Sequence, residues 1–191
     1  MKILLKKFKT VKSTNDTALH LIKKQNLSPI IVASDTQTRG KGTMGKRWIS
    51  RKGNLFISIL FEMKSKKIDF KQYAILNAYV IKKIISKYIC KKASIKWPND
   101  ILIEKKKVCG ILQEVIHFKK KKFLVVGVGI NTFLSPNITG YKASSLKDYS
   151  KKKLNNGIIL KDIKNTYEKL LDEIKKYQFS YLIRNYSKLK R

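Results

Sequence analysis

A polar stretch between two apolar segments combines glycines, cations and a tryptophan. It reads RGKGTMGKRW and spans residues 39–48. Glycines let a backbone approach a ligand closely, and lysine and arginine neutralise anionic oxygens. Trp48 adds a flat ring that can stack on an aromatic base. Taken alone, the stretch fits either a loop that holds a phosphate-bearing ligand or a solvated loop whose lysines only reflect composition.

The string GKGTMG inside this loop matches G-x-G-x-x-G, the pattern of dinucleotide-binding turns and of kinase glycine loops. A dinucleotide fingerprint requires a helix directly after the glycines. Only nine residues separate Gly45 from the apolar run that begins at Leu55, and they show no helical periodicity. A protein kinase also needs its HRD and DFG motifs, which the sequence lacks. The match therefore indicates neither class.

The formal net charge of +32 makes nucleic acid a candidate partner, because a basic surface attracts polyanions. Only five of the 44 basic residues are arginines, however, and isoleucine and asparagine are also frequent. Nucleic-acid sites more usually combine arginine with aromatic residues. We favour a solvated basic surface without a specific nucleic-acid partner, and keep a non-enzymatic nucleic-acid-binding protein as an alternative.

Apolar runs and cysteines in the sequence indicate the cellular compartment of the protein and whether it binds a metal. No run of about 18 apolar residues exists, and the N-terminus lacks a signal-peptide pattern. Cys90 and Cys109 stand alone in apolar surroundings, and no metal-ligand spacing accompanies His20 and His117. We therefore expect two buried thiols, no metal site, no membrane contact and a cytoplasmic protein.

Apolar periodicity predicts alternating helical and extended segments. Ser13 and Asp16 fit a capping box at the start of the first helix. The predicted helices cover residues 14–25, 70–89, 161–177 and a piece around 181–186. The predicted strands cover residues 29–33, 55–61, 94–97, 101–103, 108–117 and 123–130. This order indicates one α+β domain over residues 1–191, with helices packed against a mixed sheet.

Several further motifs occur in a fixed order around the glycine loop. They are STN at 13–15, Gln37, KWPND at 96–100, KVCGILQE at 107–114 and GVGIN at 127–131. Together with the loop, this set resembles the biotin protein ligases. The set spans residues 13–131, and the helical C-terminus resembles the end of the same catalytic domain. The resemblance implies a class II synthetase-like biotin/lipoate ligase fold.

The resemblance also implies a reaction in two steps. Biotin and MgATP give biotinyl-5′-AMP and pyrophosphate, and a lysine of a biotin carboxyl carrier protein then takes the biotinyl group and releases AMP. Fixed cations and backbone N–H groups suit this chemistry, because two anions must meet. No tightly bound cofactor is expected. A lipoate or octanoate ligase or transferase is the alternative within the superfamily, although KWPND and the loop order favour biotin.

Site residues follow from the resemblance by position. Those expected to hydrogen-bond the polar ring of biotin are Ser13, Thr14, Asn15 and Gln37. Those expected to line or shape the site of the adenylate are Gly40, Lys41, Gly42, Thr43 and Gly45. Those expected near the nucleotide are Lys46, Trp48 and Asn131. Lys96 is expected to meet the biotin carboxylate and the α-phosphate as the catalytic residue.

Two departures from the family pattern lead to further expectations. Family loops usually read GRGRxGR, whereas this loop has Lys41, Thr43 and Lys46 at the arginine positions. Lysine loses the bidentate fork and threonine loses the charge, so we expect a looser hold on the adenylate. Twelve residues precede Ser13 and the chain ends at Arg191. We therefore expect neither the N-terminal DNA-binding domain nor the C-terminal SH3-like domain of some relatives.

Overall fold

The computed structural model describes residues 1–25, 28–65, 67–137 and 140–188. Within these ranges seven strands form one sheet in the order β1-β2-β3-β7-β6-β5-β4. Their bounds are β1 Leu4–Val11, β2 Ile30–Gln37, β3 Leu55–Glu62, β4 Ala93–Lys96, β5 Asp100–Ile103, β6 Lys106–Phe118 and β7 Lys121–Ile130. β1 runs parallel to β2, and the other neighbours are antiparallel. The predicted α+β fold with a mixed sheet is confirmed.

Helices of the described residues cover both faces of this sheet. They are α1 Thr14–Gln25, α2 Phe70–Ile85, α3 Asn156–Lys176 and α4 Phe179–Ser187. α3 begins five residues before the predicted start, because the Asn155 side chain accepts hydrogen bonds from the N–H groups of Gly157 and Ile158. α2 ends at Ile85, before the predicted residue 89, and Ser86 bonds back to the Lys82 carbonyl.

Two apolar clusters explain why β2 and β3 read as continuous apolar runs. Ile30 and Val32 of β2 pack with α1 on one face of the sheet, whereas Ile31 and Ala33 pack with α2, α3 and α4 on the other. Successive side chains of a strand point to opposite faces, so a strand covered on both faces is apolar at every position. Because α1 packs on the sheet, the start of this helix and the end of β2 lie on the same side of the molecule.

The structure differs from the sequence prediction at the N-terminus and at one cysteine. β1 was not predicted, because its lysine-rich sequence lies at an edge of the sheet where charged side chains remain solvated. Cys109 is buried, and burial raises the pKa of its thiol. Cys90 is exposed, so the prediction of two buried thiols is wrong for this residue. Among the described helices, none has the length and apolarity needed to cross a membrane.

Candidate active site

A narrow cavity opens where the start of α1, the loop after β2 and the centres of β6 and β7 meet. Its empty volume is about 460 Å³, including space open to solvent. Predicted site residues in its lining are Ser13, Thr14, Asn15, Gln37, Lys41, Gly42, Thr43 and Trp48. The structure therefore brings most of the predicted set together, although these residues come from separate stretches of the sequence.

Gln37 links the start of α1 to the loop beyond β2. Its Oε1 accepts hydrogen bonds from the backbone N–H and the hydroxyl of Thr14, at 2.8 and 3.0 Å. Its Nε2 donates to Ser50 Oγ at 3.0 Å. Ser13 also performs the predicted capping, since its Oγ accepts from the Asp16 N–H at 3.4 Å. These bonds fix the polar end of the cavity before any ligand arrives.

Two side chains that the sequence did not predict complete this polar end. Ser58 Oγ, fully buried in β3, lies 2.7 Å from Thr14 Oγ1 and 2.5 Å from Asn15 Oδ1. Asn15 Nδ2 donates to Glu114 Oε2 at 2.5 Å. The signal for Ser58 was its position as the one polar residue within the apolar run of residues 55–61. The resulting network presents both donors and acceptors to a ligand.

Three glycines of β6 and β7 make room for the side chains that enter the cavity. A Cβ atom on Gly127 would lie 2.4 Å from Asn15 Oδ1. Cβ atoms on Gly110 and Gly129, which pair across the two strands, would lie 2.6 and 2.4 Å from ring atoms of Trp48. The Trp48 ring therefore rests on the bare backbone of both strands. Its Nε1 is buried without a hydrogen-bond partner in the described structure.

Lys107 provides a fixed cation beside the Trp48 ring. Its side chain is 17% exposed, and its Nζ lies 2.7 Å from Asp100 Oδ1. The same Nζ lies 5.3 Å from the centroid of the Trp48 ring and 5.2 Å from that of Tyr141. Lys107 lines the cavity, and its backbone carbonyl accepts from the Ser144 N–H at 3.0 Å. Lys107 is the first residue of the KVCGILQE motif, but the sequence alone did not predict a role for it.

The structure separates Lys96 from this cavity. Lys96 ends β4 with an exposed side chain and is not among the lining residues. The KWPND motif reaches the site through its last two residues instead. Asn99 lines the cavity and exchanges backbone and side-chain hydrogen bonds with Ile111, while Asp100 holds Lys107. Of the lysines in the KWPND and KVCGILQE motifs, Lys107 lines the cavity and Lys96 does not.

Four other predicted residues do not line the cavity, namely Gly40, Gly45, Lys46 and Asn131. Gly40 is buried, and its carbonyl accepts from the Trp48 N–H at 2.9 Å, which closes the base of the glycine loop. Lys46 is exposed on the outer side of that loop. Asn131 is buried, and its Nδ2 donates to the Ser144 carbonyl at 3.1 Å. Asn131 therefore anchors the segment that runs beside Lys107.

Lys41 lies at the mouth of the cavity and is paired with an acid. Its Nζ is 2.5 Å from Asp16 Oδ1 in α1. The hydrogen bond to Asp16 raises the pKa of Lys41 above its usual value. Lys41 thus keeps its positive charge at neutral pH, and an incoming anion has to compete with Asp16 for it.

The fold and the cavity lining together describe a pocket that suits a small polar ligand. Comparison with known proteins shows the family to which the chain belongs. Residues 7–131 match the Biotin/lipoate A/B protein ligase family, and the chain belongs to this family. It is 33% identical over 127 residues to the Bifunctional ligase/repressor BirA of Bacillus subtilis, covering 65% of this chain and 39% of the relative. The BirA protein of Bacillus spizizenii is 30% identical over 165 residues, covering 83% of this chain and 51% of the relative. The chain thus spans about half or less of the length of these relatives.

Solved structures agree with this family assignment. The biotin protein ligase from Aquifex aeolicus in complex with biotin and ATP superposes with a TM-score of 0.79 at 26% identity, covering 96% of this chain and 76% of that one. Plasmodium falciparum LipL1 in complex with lipoate has a TM-score of 0.60 at 14% identity, which shows a shared fold alone.

Proposed function

We propose that this chain activates biotin with MgATP to biotinyl-5′-AMP and transfers the biotinyl group to a lysine of a biotin carrier protein. The observation that carries the proposal is the single cavity in which a donor–acceptor network, a fixed cation and a tryptophan ring lie together. The likeness to the Aquifex aeolicus ligase, whose structure holds biotin and ATP, supports these substrates. We place the reaction in the cytoplasm, where the free thiols of Cys90 and Cys109 would stay reduced.

The polar end of the cavity suits the ureido ring of biotin. That ring offers two N–H donors and one carbonyl acceptor. The network around Thr14, Asn15 and Ser58 supplies hydroxyl and amide groups, and Glu114 keeps the Asn15 amide in one orientation. Because the side chains of Thr14, Asn15 and Ser58 already have hydrogen-bond partners, this end of the site is ordered before binding, which lowers the entropic cost of holding the ligand.

Lys107 is proposed for the charge-stabilising role that the sequence suggested for Lys96. In the first step a carboxylate oxygen of biotin attacks the α-phosphorus, and pyrophosphate leaves with its electron pair. Two anions must approach each other, so a cation held in a partly buried place lowers the barrier. Asp100 restrains the Lys107 side chain, and positioning of this kind provides much of the remaining rate acceleration.

We propose that the nucleotide occupies an open hollow bordered by Trp48. Gln37, Lys46, Arg47 and Tyr141 also line this hollow. An aromatic ring can stack on adenine, and the two cations can meet phosphate oxygens. Asn131 contributes indirectly, because it bonds to Ser144 in the segment that carries Tyr141. The magnesium ion enters as part of the MgATP substrate.

The direct test is biotin-dependent exchange of labelled pyrophosphate into ATP by the purified chain. We expect exchange with biotin and none without it. Lipoate and octanoate serve as competing substrates in the same assay. Exchange with lipoate but not biotin would assign the related lipoate chemistry instead, and specific nucleic-acid binding without any adenylation would favour the non-enzymatic alternative.

The Thr43→Arg variant is expected to release biotinyl-5′-AMP more slowly than the wild-type protein. Thr43 lines the cavity, and an arginine there adds a charged fork toward the phosphate. A gain of about 1.5 kcal/mol for a charge-assisted hydrogen bond corresponds to a roughly tenfold lower off-rate. The off-rate is measured by rapid dilution of preformed complex into excess unlabelled biotin and ATP. Equal off-rates in the two proteins would contradict the expectation that threonine at position 43 weakens binding of the adenylate.

A further inference from the structure

A mainly apolar groove runs directly beside the cavity and contains residues that the proposed function leaves unassigned. We call it the aromatic groove. Its empty volume is about 850 Å³, including space open to solvent. Its lining includes Phe70 and Lys71 of α2, Trp97 of the KWPND motif and Gln113 of β6. The groove lies between the first turns of α2 and the turn of the KWPND motif.

Two large aromatic side chains of this groove are exposed. Phe70 is 39% exposed and Trp97 is 50% exposed. The Trp97 ring stands edge-on against Tyr79, with centroids 5.6 Å apart, so it is held in place although solvent reaches it. Adjacent exposed aromatics on a strongly charged protein mark a surface that another molecule covers, since aromatic rings dominate the energetics of interfaces.

The aromatic groove adjoins the cavity. Thr43, Asn99 and Ile111 line both spaces. A molecule lying in the groove is therefore next to the cavity at these three residues. This geometry matches the second step of the proposed reaction, in which a lysine side chain of a folded acceptor must reach the acyl carbon.

Gln113 offers a fixed polar contact on the groove wall. Its Oε1 accepts from Asn77 Nδ2 at 2.7 Å, and Asn77 Oδ1 accepts from the Tyr167 hydroxyl at 2.9 Å. Asn77 and Tyr167 are fully buried, so this chain of bonds holds the Gln113 carboxamide in one orientation. Its NH₂ group has no partner among the described residues and can donate to a backbone carbonyl of a bound segment.

We propose that the aromatic groove receives the acceptor segment on either side of the target lysine. The inference rests on the proposed function and adds a docking site to it. Phe70 and Trp97 would contact apolar side chains of that segment, and Gln113 would hold its backbone. Lys71 lies in the groove and no carboxylate of the described residues lines it, in a chain of net charge +32, so the groove fits an acidic acceptor domain.

The test separates adenylation from docking by means of Phe70→Glu. We compare it with Ile158→Glu on α3, which places the same charge at another exposed apolar side chain, 56% exposed and outside the groove. Three rates are measured: biotin-dependent pyrophosphate exchange, biotinyl transfer to hydroxylamine, and transfer to the apo biotin carrier domain of acetyl-CoA carboxylase. For Phe70→Glu we expect the first two rates within about twofold of wild type. Transfer to the carrier should fall about tenfold or more in kcat/KM, through KM.

Ile158→Glu should keep all three rates, and melting curves check that each variant is folded. Lys71→Glu serves as a second groove variant at an exposed position, with the same expected direction. The proposal would be overturned if both groove variants transferred the biotinyl group to the carrier at the wild-type rate. It would also be overturned if transfer to the carrier and transfer to hydroxylamine were lost in parallel. A shift in sedimentation with unchanged carrier transfer would instead assign the groove to a second copy and also overturn it. Absence of exchange in the wild-type protein would refute the proposed function rather than the docking site.

Discussion

Replacing Lys107 with methionine is expected to lower kcat/KM for biotin-dependent pyrophosphate exchange by at least about 100-fold, the loss typical when one charge-stabilising group is removed. Lys107 Nζ is the cation that Asp100 holds beside the cavity, 5.3 Å from the Trp48 ring. Methionine keeps most of the length of the unbranched side chain but removes the charge that offsets repulsion between carboxylate and phosphate. The exchange rate is measured at several biotin and ATP concentrations, so that the losses in kcat and KM are separated.

Lys96→Met is the matched control, because it removes the same charge from an exposed lysine outside the cavity. We expect its exchange rate to stay within a few-fold of wild type. A loss in Lys96→Met as large as that in Lys107→Met would restore the catalytic assignment made from the sequence. Lys107→Met also leaves Asp100 without its ion-pair partner, so melting curves are needed to show that activity is lost from a folded protein.

Replacing Gly129 with alanine is expected to raise the KM for ATP by about tenfold or more and to lower stability by about 1–3 kcal/mol, the usual cost of overpacking. The added Cβ would lie 2.4 Å from Trp48 Cε2, far closer than van der Waals contact, so the ring cannot keep its place on the bare strand backbone. Trp48 must therefore leave its position beside the cavity and beside the hollow lined by Tyr141, where we propose that the nucleotide binds. Steady-state exchange kinetics and urea unfolding measure the two effects.

A double-mutant cycle identifies the cause of this loss. If the clash with Trp48 is responsible, Gly129→Ala should cost little further activity or stability when Trp48 is already alanine. Interaction energies of this kind distinguish contacting residues from independent ones. Equal costs of Gly129→Ala in both backgrounds would mean that the strand itself, rather than the tryptophan, requires glycine at this position.

The sequence by itself determined the α-helices, the strands other than β1, and the eight lining residues supplied by the start of α1, Gln37 and the glycine loop. Strands β2 and β3 were predictable because burial on both faces makes them continuously apolar. The site at the start of α1 was predictable because Ser13, Thr14 and Asn15 form a local polar cluster at a helix start. The glycine loop was recognised from its composition, and the order of the motifs indicated the family that residues 7–131 match.

Contacts across the sheet were decided only by the tertiary structure. Ser58 and Glu114 join the site because β3, β7 and β6 lie side by side, which places Ser58 opposite Gly127 and Glu114 near Asn15. No local pattern near either residue indicates these partners. Likewise, the reason for glycine at both positions of GVGIN is visible only in the tertiary structure, where Asn15 and Trp48 fill the space above these residues.

The place of Lys107 at the cavity depends on an irregularity in strand pairing. The register of β5 and β6 shifts between Ile101 and Leu102, so that Ile101 pairs with Cys109 but Leu102 pairs with Lys107. A shift of one residue reverses which face a side chain occupies, and Val108 and Cys109 are accordingly both buried in succession. Simple alternation back from Gly110 would have placed Val108 at the cavity. The sequence supplied the lysine and the acid, but the bulge decided that Lys107 rather than Val108 lies beside Asp100 at the cavity.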